Sequence, residues 1–340
     1  MIDDLIGKEK NKLKIIYLLQ MMKRTDELHP INSTEIIVEL EKYGISAERK
    51  AIGRDIQALK DAGYEIVQAE NRNDGWYMIG QDFEDYQLKM LADAVASAKF
   101  LTVKDTRDLI GKIKAMATKE GERLINAGIV IDDSLKTEDP TFAIKFDQVM
   151  RAIADHRQIR FQYFDDSSGK KKKLKWDGKV YQVTPYYLGV WGTDYFIVAN
   201  TDGYDNTSHY RVELMTNLEV TDIPGKPMSE VEELSGIGKN GRTFGDYIKE
   251  SVNLWSGPVR KIRISGENHI RREVAKKFGR NLMFKDNGDG SFSVSLNVAE
   301  GEGFYQWIAA FGCNMKIESP KECIEEYKAF LQEALNQYEE

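Results

Sequence analysis

Two amphipathic helical stretches, STEIIVELEK and AERKAIGRDIQALKDA, are separated by only four residues, the YGIS of Tyr43 to Ser46. No other feature restricts what this chain can fold into so strongly. A turn that short forces its two helices to cross steeply. The first stretch has Asn32 or Ser33 as its N-cap, Ile36, Ile37 and Leu40 turned inward, and Gly44 as a left-handed stop. In the second, Ser46 is the expected cap, Ile52, Ile56 and Leu59 form the apolar face, and Gly63 ends the helix. An earlier stretch, EKNKLKIIYLLQMMKRTD, spaces Leu13, Ile16, Tyr17, Leu19 and Met22 as a third helix. Afterwards YEIVQAENRNDGWYMIG reads as two short strands, Glu65 to Ala69 and Gly75 to Ile79, around a polar tip holding Arg72.

Three helices, a short turn and a hairpin have a chemical use. The second helix of such a pair enters the major groove of DNA N-terminus first. Glu48, Arg49, Lys50 and Arg54 occupy its early polar face, where arginine can read guanine and lysine can pair with phosphate. Ser33 and Thr34 open the helix before it, Ser46 lies in the turn, and Arg72 sits at the hairpin tip. These eight residues are the expected DNA-binding set. A basic helix face alone is most often just a solvated surface; the combination of elements is what favours DNA. The run SAERKAIGRDIQALKDAG resembles the recognition helix of bacterial winged helix-turn-helix regulators related to the DeoR group. Ser46, Arg49 (offset by one), Ile52, Arg54, Asp55, Ile56, Leu59 and Gly63 carry the likeness. Lys50-Ala51 replaces the threonine region of that pattern. The resemblance implies that Arg54 reaches phosphate and that Asp55 orients Arg54 or nearby backbone.

The charge balance suits a local rather than a general affinity for nucleic acid. The 340 residues carry a net charge of -7. Residues 1–60 hold eleven Lys and Arg against ten Asp and Glu, so the rest of the chain carries all of the negative excess. No apolar run approaches the roughly 20 residues of a membrane span, and the N-terminus lacks the basic-then-apolar order of a secretory leader. The two cysteines, Cys313 and Cys323, are too few for a disulfide framework and are expected reduced. These features point to the cytoplasm. Neither a cofactor nor a metal is expected, since the four histidines lie near no cluster with ligand spacing.

Residues 82–126 read as two helices, one with Leu88, Leu91, Ala92 and Val95 on a stripe and one with Leu109, Ile113 and Met116. Such helices connect domains or carry dimer contacts. A boundary falls near Pro140. The helix FAIKFDQVMRAIADH then leads into several turn-punctuated strands rich in Tyr, Val and Phe, the pattern of a small curved sheet or barrel. This part resembles a WYL domain. Pro185, Leu188, the triplet Asp194-Tyr195-Phe196 and the run Tyr210 to Met215 carry the match. Of the family's Trp-Tyr-Leu only Tyr195 is retained. Arg211 stands for the first of two family arginines, Leu214 stands in place of the second, and His209 or Lys170 to Lys173 could compensate. The expected ligand-binding set is Tyr186, Tyr187, Tyr195, His209, Tyr210 and Arg211. Flat tyrosine faces stack on bases, and Arg211 and His209 donate to phosphate; the plainer reading of the same tyrosines is barrel core and outer face.

Residues 226–256 read as a connector with a short helix. Its Gly236 to Gly241 stretch fits G-x-G-x-x-G formally, but no apolar strand precedes it, so it is not taken as a dinucleotide site. From Pro258 the order is strand, helix, strand, hairpin strand, helix, strand, helix, a β-α-β-β-α-β pattern of ferredoxin-like type. FYQWIAAFG and KIESP, within Phe304 to Pro320, resemble the C-terminal extension that follows WYL domains. Arg260, Arg263, Arg271 and Arg272 are expected to be mainly solvated there. No catalytic constellation is present: there is no G-x-S-x-G elbow, P-loop or H-E-x-x-H. Asp165 and Asp166 are neighbours on a strand and so point to opposite faces.

The expectation is a multidomain α+β chain. A winged helix-turn-helix occupies 1–80, a helical linker or dimerisation region 81–139, a small Sm-like β-barrel WYL domain 140–225, a connector 226–256 and a ferredoxin-like extension 257–340. The function implied is a sequence-specific DNA-binding transcriptional regulator, more a repressor than an activator. It would be a homodimer on an inverted-repeat, double-stranded operator, sensing a nucleotide or nucleic-acid effector. The alternatives are a single-stranded DNA- or RNA-binding accessory factor acting through the WYL domain, and an interaction scaffold with a vestigial DNA head.

Overall fold

The structure, a computed structural model, describes residues 2–165, 173–255 and 257–338. Asp166 and Lys170 to Lys172 of the lysine run lie outside the described residues. The chain divides into two compact units, Met1–Asp139 and Pro140–Glu340.

In the first unit, α1 (Ile2–Lys23), α2 (Ser33–Lys42) and α3 (Arg49–Asp61) precede a hairpin of β1 (Ile66–Gln68) and β2 (Trp76–Met78). Leu18, Met22, Ile36, Leu40, Ile52, Ile56, Leu59 and Met78 form one buried cluster. Leu13 and Ile16, which share the helical spacing of α1, are exposed. Asn32 caps α2 in a reciprocal box with Glu35. The cap expected of Ser46 does not form: Glu48 is the N-cap of α3 and makes no side-chain cap bond, while Ser46 is exposed. The cause lies in Ile45, which must be buried. Its N–H donates to Leu40 O, and the chain turns helical only after Glu48, whose own backbone is extended. Asp55 does not orient Arg54; it pairs with Lys14 of α1 at 2.9 Å, both side chains largely buried.

Residues 82–126, read as two helices, fold as three: α4 (Asp85–Ser97), α5 (Val103–Met116) and α6 (Lys119–Gly128). Thr118 makes the extra break. Its hydroxyl caps α6 through Gly121 N–H and donates to Asp85. Leu88, Ala92, Ala117 and Ile125 pack between the helices, whereas Leu91, Leu109 and Met116 are exposed. Lys136 closes the unit. Its buried ammonium donates to the carbonyls of Val95, Ala96 and Ala98 at the end of α4, where backbone acceptors otherwise lack partners. Burial holds its pKa below the usual lysine value.

The second unit opens with α7 (Phe142–Ala154) against a five-stranded antiparallel sheet. Its strands are β3 (Arg157–Tyr163), β4 (Val180–Trp191), β5 (Asp194–Asn200), β6 (Ser208–Arg211) and β7 (Met215–Pro224), in the order β6-β5-β4-β3-β7. The sheet is open: no ladder joins β6 to β7 among the described residues. It is nonetheless strongly curled. Flat strands three steps apart would stand about 14 Å from one another, yet the rings of Phe161 on β3 and Tyr210 on β6 meet edge-on at 5.0 Å. The Arg211 N–H donates to Tyr163 Oη at 2.9 Å, a side chain serving where a neighbouring strand would. The stretch read as a connector is instead a packed layer. Val231, Leu234 and Tyr247, the last on α8 (Phe244–Glu250), are buried against Phe196 and Val198.

The C-terminal part runs β8 (Val259–Glu267), α9 (Arg271–Phe278), β9 (Lys285–Asp286), β10 (Ser291–Ala299), α10 (Glu302–Ala309), β11 (Met315–Ser319) and α11 (Lys321–Asn336). The sheet order is β11-β8-β10-β9. Ile262, Ile264, Phe292, Val294, Phe304 and Ile308 form its core, with Trp307 and Phe311 packed against it. The basic residues there are less idle than expected. Arg260 pairs with Glu300, Arg263 with Glu318, and the Arg271 guanidinium lies over the Phe284 ring.

Two groups here give direct tests. Cys323 is fully buried and its thiol donates to Glu300; burial, then that carboxylate, pushes its pKa up to about 12. Cys313 is exposed. A thiol reagent at pH 8 should therefore label one cysteine of the native chain and two only after denaturation; fast labelling of both would contradict the burial of Cys323. Lys277 lies under the Trp191 ring at 4.0 Å and donates to Ser251 O at 3.2 Å. Burial takes its pKa from 10.5 down to about 8. Between those values the unfolded chain binds more protons than the fold, so this group makes stability rise with pH across that window. Below about pH 8 both states hold the proton and the burial penalty is complete. Urea melts between pH 8 and 10 should show a smaller rise in Lys277→Met than in the parent chain; equal slopes would remove Lys277 as the source.

Candidate nucleic-acid interface

The expected DNA-facing residues gather at one end of the crossed helices. Arg49, the first residue of α3, donates to Thr34 Oγ1 in the first turn of α2 at 2.8 Å. Ser33 and Thr34 are thereby placed beside Glu48, Arg49 and Lys50. Lys50 and Arg54 stand one helical turn apart on the exposed side of α3, opposite Ile52, Ile56 and Leu59. Among the described residues neither Lys50 nor Arg54 forms an ion pair, and Arg72 forms none at the hairpin tip. The first turn of α3 contains no acidic residue and its end has no side-chain cap. The positive dipole end of the helix and the N–H groups of its first two residues lie there together with the cations and with the exposed N-cap Glu48. Ser46 is exposed in the loop before α3.

The Lys14–Asp55 pair fixes this surface from behind. It ties α3 to α1 on the side away from Lys50, Gln57 and Asp61, and leaves Arg54 unengaged. Asn32, Ile31 and the hairpin are tied as well: Ile31 and Trp76 exchange both backbone hydrogen bonds, at 2.8 and 2.9 Å.

The six residues expected to bind ligand are divided among three surroundings. Tyr186 and Tyr187 both pack on the cluster of Phe196, Val198 and Tyr247, because a bulge between Pro185 and Tyr187 breaks the strict alternation of β4. Tyr186 donates to Lys226 O, and burial pushes its pKa up to about 12. Tyr187 stacks on Phe244 at 5.0 Å. His209 joins them through a 3.0 Å bond to Tyr247 Oη, which also lies 2.6 Å from Thr207 Oγ1. Arg211 pairs in register with Phe196 and shares the His209 face. Tyr210 points to the opposite face, into a cluster with Phe161, Tyr163 and Tyr181. Tyr195 is elsewhere again, edge-on to Phe146 of α7 at 4.9 Å. Among the described residues these six form no open tyrosine platform.

Tyr163 and Tyr181 are the residues that sequence reasoning passed over. Both are partly exposed, both touch Tyr210, and Lys179 stands over the Tyr181 ring at 5.3 Å. Their signal was the alternation Phe161, Tyr163 on β3, facing Tyr181 on β4. Among the described residues no group of His, Cys, Asp and Glu could hold a metal ion, and no helix is long and apolar enough to cross a membrane.

Comparison with known proteins assigns residues 145–220 to the WYL domain family and residues 259–335 to the WCX domain family. No curated protein matches the chain. Among solved structures, proteasome accessory factor B/C (PafBC) of Arthrobacter aurescens is similar at 16% identity and a TM-score of 0.29, over 96% of this chain and 49% of that one. This chain thus spans about half the length of that protein. A CRISPR Cas-related protein is similar at 12% identity and a TM-score of 0.34, over 77% of this chain and 75% of its own.

Proposed function

We propose that this chain is a sequence-specific DNA-binding transcriptional regulator whose WYL domain senses a nucleotide or nucleic-acid ligand. In this reading α1 to α3 and the β1–β2 hairpin are a winged helix-turn-helix, the curled five-stranded sheet is Sm-like, and the last sheet is ferredoxin-like. The observation that carries the proposal is the exposed row Arg49, Lys50 and Arg54 on an uncapped α3, with Arg49 bonded across to Thr34. The WYL and WCX assignments support a regulator over an isolated DNA head. A homodimer would place two α3 helices on an inverted repeat, about one DNA turn between half-sites. No catalytic step enters this reading.

Selection from random duplex DNA at about 150 mM salt tests it, since unspecific phosphate attraction is weak there. Recovery of an inverted repeat is the expected result; no enrichment would remove the proposal. Arg54→Ala should weaken binding to the selected site and lower the salt slope by about one unit or less. Unchanged affinity and slope would take Arg54 out of the interface. The single-strand reading is the weaker one, because Tyr187, Tyr195 and Tyr210 each already spend a ring face or edge on an internal partner.

A further inference from the structure

The open face of the C-terminal sheet carries a groove of about 430 Å3 that takes no part in the function proposed above. Ile262, Ile264, Val294 and Ile317 turn inward from this sheet, so Arg263, Ser265, Glu267, Ser291, Ser293 and Lys316 turn outward. Ser265 faces Ser293 across β8 and β10, and Lys316 faces Ser265 from β11. Both serines are buried, at 4% and 3% exposure, although they lie on the outer face. They form the floor between longer side chains.

The two hydroxyls differ. Ser293 Oγ donates to Asn287 Oδ1 at 3.1 Å. Ser265 Oγ has no hydrogen-bond partner among the described residues. Native folds seldom leave a buried hydroxyl in that state, and a bound group is one of the few things that relieves it. The charges around it are ordered along the strand. Lys316 stands beside Ser265. Glu267 lies two residues further along β8, about 7 Å away, opposite Ser291. Ser291 in turn donates to Asp289 through its backbone and side chain. Those bonds hold the Asp289 carboxyl below the usual range, and Lys316 adds to the effect. One end of the groove therefore offers a hydroxyl and an ammonium, the other two carboxylates, of which Glu267 also contacts His269 Nδ1 at 3.2 Å. A simple oxyanion would be repelled at the second end, and a simple cation at the first.

We propose that this groove binds a zwitterionic small molecule of the α-amino acid class. Its carboxylate would sit on the Ser265 hydroxyl and the Lys316 ammonium, and its amino group between Glu267 and Asp289. The volume lies within the range of small-ligand pockets. Binding here is independent of the DNA-reading surface, so operator affinity of the unliganded chain does not depend on Ser265.

The test is calorimetric titration of the full chain with the common amino acids, propionate, an alkylammonium ion and inorganic phosphate. At least one amino acid should bind with a Kd below about 1 mM and more tightly than the three single-charge probes. Ser265→Ala should weaken it about tenfold without lowering the melting temperature of the unliganded chain. Glu267→Gln should weaken the amino acid and not propionate. Failure of every amino acid to bind at 10-fold higher concentration overturns the proposal. So does equal binding of phosphate or propionate, which would make the site an anion site. Unchanged affinity in Ser265→Ala would place the ligand elsewhere.

Discussion

Gly75→Ala should destabilise the N-terminal unit by about 3 kcal/mol or more. Gly75 has φ 93°, where side chains are strained, and it precedes β2 at the point where the hairpin meets the start of α2. A Cβ there would lie 2.0 Å from Ile31 O and 2.5 Å from Asn32 Cα. Neither atom can yield alone, because Ile31 is bonded in both directions to Trp76 and Asn32 is the cap of α2. Gly63→Ala is the control. Its φ of 97° carries similar strain, but nothing lies within 4 Å of the added carbon, so it should cost about 1 kcal/mol. Urea unfolding of both variants separates strain from collision. Equal losses would show that the hairpin can shift away from α2.

Phe161→Ala should cost about 3–5 kcal/mol. The ring is 1% exposed and lies stacked on Tyr181 at 5.5 Å and edge-on to Tyr210 at 5.0 Å. Three tyrosines cannot refill the space easily: Tyr163 is tied to the Arg211 amide, and Tyr181 and Tyr210 already pack edge-on against each other at 5.6 Å. Phe161→Leu, which keeps most of the volume, should lose about 1.5 kcal/mol or less. The readout is the urea midpoint together with the near-ultraviolet signal of the tyrosines. A loss below about 1 kcal/mol for alanine would mean that the curl of the sheet does not depend on this cluster.

Local rules were legible where one residue decides the outcome. Ile52, Ile56 and Leu59 are buried as the helical period requires, Gly44 and Gly63 have positive φ, and Asn32 caps α2. The start of α3 was not legible from Ser46, because burying Ile45 outweighs a favourable cap. The third helix after residue 82 had a visible signal in Thr118, which looked internal to a longer helix. The ligand set is divided among three surroundings for a reason that the sequence does contain. Alternation was applied to Asp165 and Asp166, and the same rule separates Tyr210 from Arg211. The bulge that keeps Tyr186 and Tyr187 together had no such signal, since it arises from the pairing of β4 with β5.

The bond from the Arg211 amide to Tyr163 Oη also sets how the curled sheet breathes. A ladder between strands opens only when several bonds are lost together. A single phenol contact opens alone, when one side chain turns. Solvent exchange at the Arg211 amide should thus run through a local, low-energy event, while the amides of β3 and β4 wait for wider unfolding. The sheet would then have a built-in weak seam, and its slowest and fastest exchanging amides would lie within a few ångströms of each other.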